Sequence, residues 1–161
     1  MSGVVTAPLT AADREWAAGF FVERWGAATM VAHGVVHEPH TLPGFVAMVE
    51  GRRVGLITYR IDATGCEIVS LDSLQPGRGV GTALLAAVVE AARRSHSSRV
   101  WLITTNDNLT ALRFYQKRGF ALVAVHRDAV AAARAIKPQI PLVGADGIPI
   151  RDEIELELVG L

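Results

Sequence analysis

The sequence predicts an α/β domain with a mixed, mostly antiparallel central sheet flanked by helices. Segments typical of strands and helices follow one another along the chain. The early strands are joined by turns that are too short for crossover helices, so they are expected to pair as hairpins rather than in a doubly wound order. A length of 161 residues is typical of one domain, and residues 1–161 are therefore expected to form a single domain.

The first half of the chain is interpreted as a strand and a helical region that precede a three-stranded meander. The first strand is VVTAPL, and Thr10 is the expected N-cap of the helix in TAADREWAAGFFVERW. The segment GAATMVAHGVVHEPHTL is ambiguous and is interpreted as a second helix followed by a loop that ends at Pro39. GFVAMVE and VGLITYRID are predicted to form a hairpin through GRR, and GCEIVSLDSL to extend it.

The second half alternates helices with strands. A helix is expected over about residues 80–95, and the strand RVWLITT is apolar enough to be buried on both faces. The helix in NDNLTALRFYQKRG is predicted to begin near Asn106 or Asn108 and to end at Gly119. The strand FALVAVH and a short helix capped by Asp128 follow. After an irregular segment with three prolines, RDEIELELV alternates as a closing strand.

Composition narrows the classes of function. Lys and Arg number 16, as do Asp and Glu, and this balance without a long basic cluster argues against a nucleic-acid partner. No apolar run is long enough to cross a bilayer, and the N-terminal residues lack the charged start and apolar core of a signal peptide. A cytoplasmic protein with no membrane partner is therefore expected. The single cysteine, Cys66, excludes an internal disulfide.

Three glycines stand directly before a long apolar helix in QPGRGVGTALLAAVVEAARR. A P-loop is excluded because Gly81 is followed by Thr82 and Ala83 rather than by a lysine. A dinucleotide fingerprint fails whether it is started at Gly77 or at Gly79. Two interpretations remain open. The loop either directs backbone N–H groups towards an anion at the helix N-terminus, or it is a tight strand-to-helix turn without a ligand.

A second motif lies at residues 108–120, NLTALRFYQKRGF, where Asn108 and Tyr115 share an otherwise apolar helical face. This segment and PGRGVG at 76–81 together resemble the motifs of the GNAT superfamily of N-acetyltransferases. That family has an R/Q-x-x-G-x-G/A loop between a strand and a long helix, and N-x-x-A-x-x-x-Y-x-x-x-G-F on a later helix. RVWLITT lies between the two motifs, as the family requires, and the resemblance covers roughly residues 45–126.

The resemblance implies a GNAT-type fold, acetyl-CoA as co-substrate without a metal, and acetyl transfer to an amine by direct attack. A small-molecule amine is the expected acceptor. A protein or peptide amine is one alternative, and a CoA-binding sensor module without turnover is another. The sequence departs from the family at Pro76, which occupies the position of the family's Arg or Gln. Gln75 is one position early, and Arg78 lies inside the loop.

The expected donor-binding residues also follow from the resemblance. Backbone N–H groups at positions 78–82 would hold the pyrophosphate, Asn108 would contact the CoA arm, and the N–H of Leu71 would polarise the thioester carbonyl. The predicted set is Leu71, Ser73, Arg78, Gly79, Val80, Gly81, Thr82 and Asn108.

Two catalytic residues are predicted. Tyr115 matches the family's tyrosine near the sulfur and is the implied acid, with a buried core phenol as the competing interpretation. Glu67 is the predicted base, because burial in an apolar strand would raise its pKa, although it could instead be exposed at the strand start. Strict alternation places Glu67 with Val69 and Leu71 on one face, and the second candidate, Asp72, on the other.

The acceptor site is predicted to include Trp25, Met30 and His33, and the neighbouring His37 and His40 are candidates for it as well. His33, His37 and His40 also have a spacing that would suit a metal on a helix, but Gly34 and Pro39 disfavour that helix, and no metal is expected.

Two other features have open interpretations. Cys66 could carry an acyl group, although a buried inert thiol is the preferred interpretation. The acidic strand RDEIELEL could attract a cationic acceptor, form the edge of a homodimer or mark a solvated face, and the last is the simplest.

Overall fold

Nine strands and four helices make up the chain in this computed structural model, which describes residues 3–161. The strands are β1 (Val5–Pro8), β2 (Met30–Ala32), β3 (Val35–His37), β4 (Gly44–Val49), β5 (Arg52–Asp62), β6 (Gly65–Ser73), β7 (Arg99–Thr105), β8 (Ala121–His126) and β9 (Glu153–Val159). The helices are α1 (Ala11–Trp25), α2 (Val80–Arg94), α3 (Leu109–Gln116) and α4 (Ala129–Ile136).

Seven strands form one sheet in the order β1-β4-β5-β6-β7-β9-β8. Every neighbouring pair is antiparallel except β6 and β7, which are parallel. Helices cover both faces: Leu84 of α2 packs into the larger core with Ile57, and Phe21 of α1 packs with Leu56 on the other side. Adjacent residues of β5 face opposite layers because side chains alternate along a strand. The predicted mixed, mostly antiparallel sheet flanked by helices is confirmed.

The predicted second helix is wrong: β2 and β3 form a separate two-stranded hairpin, with Met30 opposite His37. His33 and Gly34 occupy its turn, both with positive φ, which a helix does not tolerate. The apolar residues there include the β-branched Val31, Val35 and Val36 and are too few between turn residues to nucleate a helix. The order of elements is therefore β1-α1-β2-β3-β4-β5-β6-α2-β7-α3-β8-α4-β9.

Helix ends follow local capping chemistry in two of three predicted places. Thr10 caps α1 in a capping box with Asp13, and the Asn108 side chain caps α3 by accepting from the N–H of Ala111. Asp128 precedes α4 but makes no side-chain cap. It adopts a left-handed conformation, and its N–H donates to the Asp152 carboxylate instead.

A bulge in β6 overturns the predicted faces of its carboxylates. Thr58 of β5 pairs with Ser70, but the next residue of β5 pairs with Ile68, so Val69 is an extra residue in β6. Arg60 pairs with Glu67, and Leu56, on the same face of β5, pairs with Asp72. Residues directly opposite in an antiparallel pair share a face, so Glu67 and Asp72 lie on one face rather than on opposite faces.

The parallel pair β6 and β7 separates soon after it begins. Cys66 pairs with Val100, and Glu67 with Trp101, but no later residue of β6 pairs with β7. Each strand nevertheless continues for several residues, with its other edge hydrogen-bonded to β5 or β9. The outcome is an opening in the middle of the sheet, where main-chain N–H and C=O groups that would otherwise bond to a strand are available to a ligand.

The acidic closing strand is not simply a solvated face. Glu155 and Glu157 both accept hydrogen bonds from the Arg99 guanidinium at 2.9 Å, and Glu155 also lies 3.1 Å from a ring nitrogen of His126. Glu153, at the start of β9, is buried. Alternation along the strand is real, but Glu155 and Glu157 pair with Arg99 of β7, and Glu155 also lies beside His126 of β8.

Candidate active site

A cavity of about 510 Å³ fills the opening between β6 and β7 and extends to the β2–β3 hairpin. Its size is typical of small-molecule sites. One side is formed by the two separated strands, one end by the start of α2 and by α3, and the other end by the end of α1 and the hairpin. The lining residues are Arg24, Trp25, Met30, Val31, Ala32, His37, Glu67, Ile68, Val69, Ser70, Leu71, Asp72, Ser73, Gly81, Leu102, Ile103, Thr104, Thr105, Asn108, Thr110, Ala111, Phe114, Tyr115 and Glu153.

Glu67 is only 5% exposed and faces this cavity from the start of the opening. Burial raises the pKa of its carboxyl to about 7, although the guanidinium of Arg60, 3.6 Å away, acts to lower that pKa. His37 approaches from β3, with Nε2 4.0 Å from the Glu67 carboxylate. A carboxyl group with this pKa changes protonation state near neutral pH, which is the property required of a general base.

Asp72 is equally buried and lies on the same face of β6. Burial raises the pKa of its carboxyl to about 6, while the nearby Arg24 guanidinium and the Trp25 side chain act to lower it. The Arg24 Nε atom lies 3.6 Å from Oδ1, and Oδ2 is buried without a hydrogen-bond partner. One carboxylate oxygen is therefore left for a ligand or a water molecule that enters the cavity.

Tyr115 lies on α3 with its ring between those of Phe114 and Phe120, at centroid distances of 5.0 and 5.1 Å. It belongs to the larger core and also lines the cavity. Burial, with a smaller contribution from the negative charge of Asp72, raises the pKa of its phenol above the usual value. The hydroxyl therefore remains protonated at neutral pH and can donate a hydrogen bond or a proton.

The glycine-rich loop begins α2 beside the cavity. Gly77 and Gly79 both have φ of +78°, a conformation that glycine adopts without steric cost, and the Gly79 carbonyl accepts the first helical hydrogen bond from Ala83. Gly81 lines the cavity, and a Cβ there would meet the Phe114 ring at 3.1 Å. The first-turn N–H groups of a helix have no partner within it, so this end of α2 suits an anion.

Arg118 extends from the end of α3 over the start of α2. Its Nε and one terminal nitrogen donate to Thr82 Oγ1 at 3.1 and 2.8 Å, and its guanidinium lies 3.7 Å from the centre of the Phe114 ring. The contacts fix an exposed positive charge beside the glycine loop. The sequence motif did not reveal this residue, because its position became informative only when α3 was packed against α2.

The predicted donor-binding residues do not all reach the cavity. Leu71, Ser73, Gly81 and Asn108 line it, whereas Arg78, Gly79, Val80 and Thr82 lie along the loop and the first turn of α2 outside the lining. The N–H of Arg78 donates within the loop to the Gln75 carbonyl at 3.3 Å. Asn108 has both ends of its amide engaged, since it caps α3 and donates to Thr104 Oγ1 at 3.1 Å.

The predicted acceptor residues are divided in a similar way. Trp25 and Met30 line the cavity, but His33 lies in the hairpin turn outside its lining. The His33 N–H donates to both carboxylate oxygens of Glu153, and its ring packs against His126 with a centroid distance of 4.7 Å. Those contacts tie the hairpin to β9.

The three histidines whose spacing would suit a metal site on a helix lie in three different local structures. His33 is in the hairpin turn, His37 is buried in β3, and His40 is in a short 3₁₀ turn. Within residues 3–161, no group of three His, Cys, Asp or Glu side chains is arranged to hold a metal ion. Burial lowers the pKa of His37, with a further contribution from Arg60, so its ring is neutral at neutral pH.

Cys66 is fully buried in the core and does not line the cavity. Burial and the neighbouring Glu67 carboxylate raise the pKa of its thiol to about 12. A protonated thiol is a poor nucleophile, so these surroundings favour an inert core residue over an acyl carrier.

Sequence reasoning missed Arg24, Arg60 and His37 as neighbours of the two carboxylates. Arg60 would have been found by pairing VGLITYRID with GCEIVSLDSL across their turn, since it is directly opposite Glu67. His37 was a candidate for the acceptor site, but its approach to Glu67 could not be predicted from a segment that was interpreted as a helix and loop.

Two parallel strands separate beside a glycine-rich helix start, and a buried carboxyl and a phenol face the opening, an arrangement that suits acyl transfer. More particularly, the chain belongs to the acetyltransferase (GNAT) family, whose model matches residues 11–120.

The chain also has a relative of high sequence identity, and solved acetyltransferase structures share its fold. The chain is 49% identical over 136 residues to the protein named "Uncharacterized protein YdhI" of Bacillus subtilis. The aligned region covers 84% of this chain and 85% of the relative. The IAA acetyltransferase from Bacillus cereus superposes with a TM-score of 0.73 at 22% identity, covering 98% of this chain and 99% of that one. A Bacillus subtilis acetyltransferase in complex with CoA superposes with a TM-score of 0.69 at 17% identity over the full length of both chains.

None of the helices in residues 3–161 is long and apolar enough to span a membrane.

Proposed function

We propose that this protein is an acetyl-CoA-dependent N-acetyltransferase that acts on the amine of a small molecule, with Glu67 as general base and Tyr115 as general acid. The observation that carries the proposal is the buried Glu67 carboxyl, with a pKa raised to about 7, facing a cavity that begins at the glycine-rich start of α2. Membership of the acetyltransferase family and the fold shared with an acetyltransferase that is complexed with CoA support the choice of donor.

Donor binding would use the start of α2 and the exposed edge of β6. Unpaired N–H groups of the first turn, together with the helix dipole, would hold the pyrophosphate. The acetyl and pantetheine part would extend between β6 and β7, where the N–H of Leu71 is the candidate to polarise the thioester carbonyl. Arg118, fixed over this helix start by Thr82 and Phe114, would supply the positive side chain that Pro76 cannot.

The reaction requires two protons to leave the ammonium form of the acceptor. The Glu67 carboxylate takes the first proton, which leaves a neutral amine whose nitrogen attacks the thioester carbonyl carbon. As the C–N bond forms and the C–S bond breaks, the thiolate takes a proton from the Tyr115 hydroxyl, and the second amine proton restores the phenol. Loss of the proton on Glu67 to solvent completes the cycle, with one proton released per amide formed.

A small-molecule acceptor is supported by the shape of the site. Met30, Val31 and Ala32 of the hairpin cover one wall, so the cavity is bounded on the side opposite the glycine loop. A peptide acceptor would need a groove that continues past this wall. A non-catalytic sensor module would have no need for a buried carboxyl with a pKa near neutrality.

Release of free CoA thiol is the measurement that tests this proposal. Purified protein would be incubated with acetyl-CoA and a panel of primary amines, and with peptides that carry free N-termini or lysines. Thiol release that depends on a small amine is expected. Binding of acetyl-CoA without release over the whole panel would favour the sensor alternative, and release only with peptides would favour the peptide alternative.

The donor part of the proposal has its own test in Arg118→Met, with Arg113→Met, an exposed arginine of the same helix, as the matched control. We expect Arg118→Met to weaken CoA binding by roughly tenfold, because a charge-assisted contact is lost, and the control to bind normally. Equal affinities for the two variants would remove Arg118 from the donor site.

A further inference from the structure

Among the charged side chains that line the cavity, negative groups outnumber positive ones. Three of them are carboxylates, from Glu67, Asp72 and Glu153, and each is buried. Arg24 is the only lysine or arginine of the described residues in the lining. A cavity with this balance attracts cations and opposes the entry of a further negative charge.

The arginines near the cavity are already engaged. The Arg24 guanidinium lies 3.6 Å from the Asp72 carboxylate and also contacts the face of Phe20. Arg60, which is outside the lining, bonds to Asp62 and lies 3.6 Å from Glu67. A carboxylate on the acceptor would have to compete with the Asp72 carboxylate for the Arg24 guanidinium.

The two carboxylates of β6 are also spread along the cavity. Their partners in β5 are Arg60 and Leu56, four residues apart, so Glu67 and Asp72 are separated by roughly 13 Å along the strand. Negative charge therefore extends along the length of this strand face. Glu153 adds to it from β9, although its oxygens accept the N–H of His33.

Apart from His37 and Arg24, the lining on the hairpin side is apolar. Trp25, Met30, Val31 and Ala32 contribute side chains there, and Trp25 is 45% exposed. An acceptor with an apolar or aromatic body could cover these surfaces while its ammonium group meets the carboxylates.

We infer that the acceptor is a primary amine with an apolar or aromatic body and without a carboxylate beside the amine, so that amines are used in preference to the corresponding amino acids. The inference rests on the proposed acetyl transfer to a small amine and specifies the class of that amine. It narrows the expectation of a small-molecule amine. Like-charge repulsion in a poorly hydrated site is the physical reason for the selection.

The experiment compares three acceptors of one series: phenethylamine, phenylalanine and phenylalaninamide. Phenylalaninamide has nearly the size and shape of phenylalanine without its negative charge, so it separates charge from bulk. We expect kcat/KM for phenethylamine and for phenylalaninamide to exceed that for phenylalanine by about 10- to 100-fold. Tyramine with tyrosine, and histamine with histidine, repeat the comparison with other bodies.

The variant Asp72→Asn tests whether negative charge in the cavity causes the preference for amines over amino acids. Asp72→Asn removes one of the negative charges and should reduce the ratio of phenylalaninamide to phenylalanine turnover several-fold, whatever its effect on the absolute rates. Equal use of phenylalanine and phenylalaninamide by the wild type overturns the inference. A low rate with both, beside a high rate with phenethylamine, would also overturn it by showing that size selects the acceptor.

Binding measurements keep this inference separate from the proposed transfer. Trp25 lines the cavity, so acceptor binding can be followed by tryptophan fluorescence in the presence of CoA. If no amine is acetylated, the proposed function fails, and the relative affinities still decide the inference. Tighter binding of phenethylamine and phenylalaninamide than of phenylalanine supports it, and equal affinities contradict it.

Discussion

The two ends of the carboxylate face of β6 make an informative comparison. Glu67 and Asp72 are both 5% exposed and lie on the same face of one strand, yet their surroundings differ. Glu67 has a neutral histidine and a guanidinium nearby, and its pKa is raised to about 7. Asp72 has a guanidinium and an indole nearby, and its pKa is raised by a similar extent, from 3.8 to about 6.

The difference between these two pKa values favours a different chemical role for each carboxyl group. A carboxyl with a pKa near 7 takes up and releases a proton at neutral pH, which suits the base. A carboxyl with a pKa near 6 is mainly ionised at pH 7, which suits a fixed negative charge that attracts a cation. Burial raises both pKa values to a similar extent, so the final values differ mainly because aspartate starts from 3.8 and glutamate from 4.5.

The largest expected effect comes from comparing Glu67→Gln with Asp72→Asn. Loss of the base should reduce kcat by about 10²- to 10⁴-fold and remove the rise of activity around pH 7. Asp72→Asn should raise KM for cationic amines by roughly tenfold and retain most of kcat. Steady-state kinetics from pH 5 to 9 measure both effects. Similar losses of kcat in the two variants would abolish the distinction, and a wild-type rate for Glu67→Gln would remove Glu67 from the mechanism.

The same glutamate should affect stability in a direction opposite to its effect on activity. Its pKa in the folded protein is raised, so the folded state holds the proton more tightly than the unfolded state does. Stability is therefore lost as pH rises from about 4.5, the unfolded value, through about 7, the folded value. Glu67→Gln removes this penalty, which is on the order of 3 kcal/mol above pH 7.

Thermal unfolding at pH 5 and pH 8 tests that linkage. Glu67→Gln should unfold at a higher temperature than the wild type at pH 8, and the gap should narrow at pH 5. A variant that is less stable than the wild type at pH 8 would show that the carboxylate makes favourable interactions that exceed the cost of its burial.

A smaller effect is expected at the other side of the cavity from Tyr115→Phe. The hydroxyl is lost while the ring still packs between Phe114 and Phe120, so folding should be retained. A thiolate is already an adequate leaving group near neutral pH, so we expect kcat to fall by roughly tenfold with little change in CoA affinity. A loss of CoA affinity alone, measured by calorimetry, would make Tyr115 a structural residue.

The smallest effect is expected from Arg60→Met, which alters the surroundings of Glu67 without removing it. Arg60 lowers the pKa of Glu67, so its loss should raise that pKa and move the rising limb of the pH profile to higher pH by up to about one unit. Activity should fall at pH 7 and recover at pH 9. Arg52→Met, an exposed arginine at the start of β5, is the control, and an unshifted profile for Arg60→Met would contradict this coupling.

Local features of the sequence predicted much of the fold. Thr10 and Asp13 form a capping box within four residues, and the start of α2 follows directly from its glycines. Such signals involve atoms that are close along the chain, so they can be read without knowing the rest of the fold. The hairpin at residues 30–37 was missed because strands of three residues are stabilised by packing on other elements rather than by local preference.

The sequence by itself determined the family motifs, the mixed sheet and the choice of Glu67 and Tyr115 as catalytic candidates. Only the tertiary structure decided that Asp72 shares a face with Glu67, because that depends on one extra residue at Val69 in the register between β5 and β6. It also decided that His37 approaches Glu67 and that Arg118 lies over the start of α2. A strand register and the packing of distant elements depend on contacts between residues far apart in the chain, and no local pattern records them.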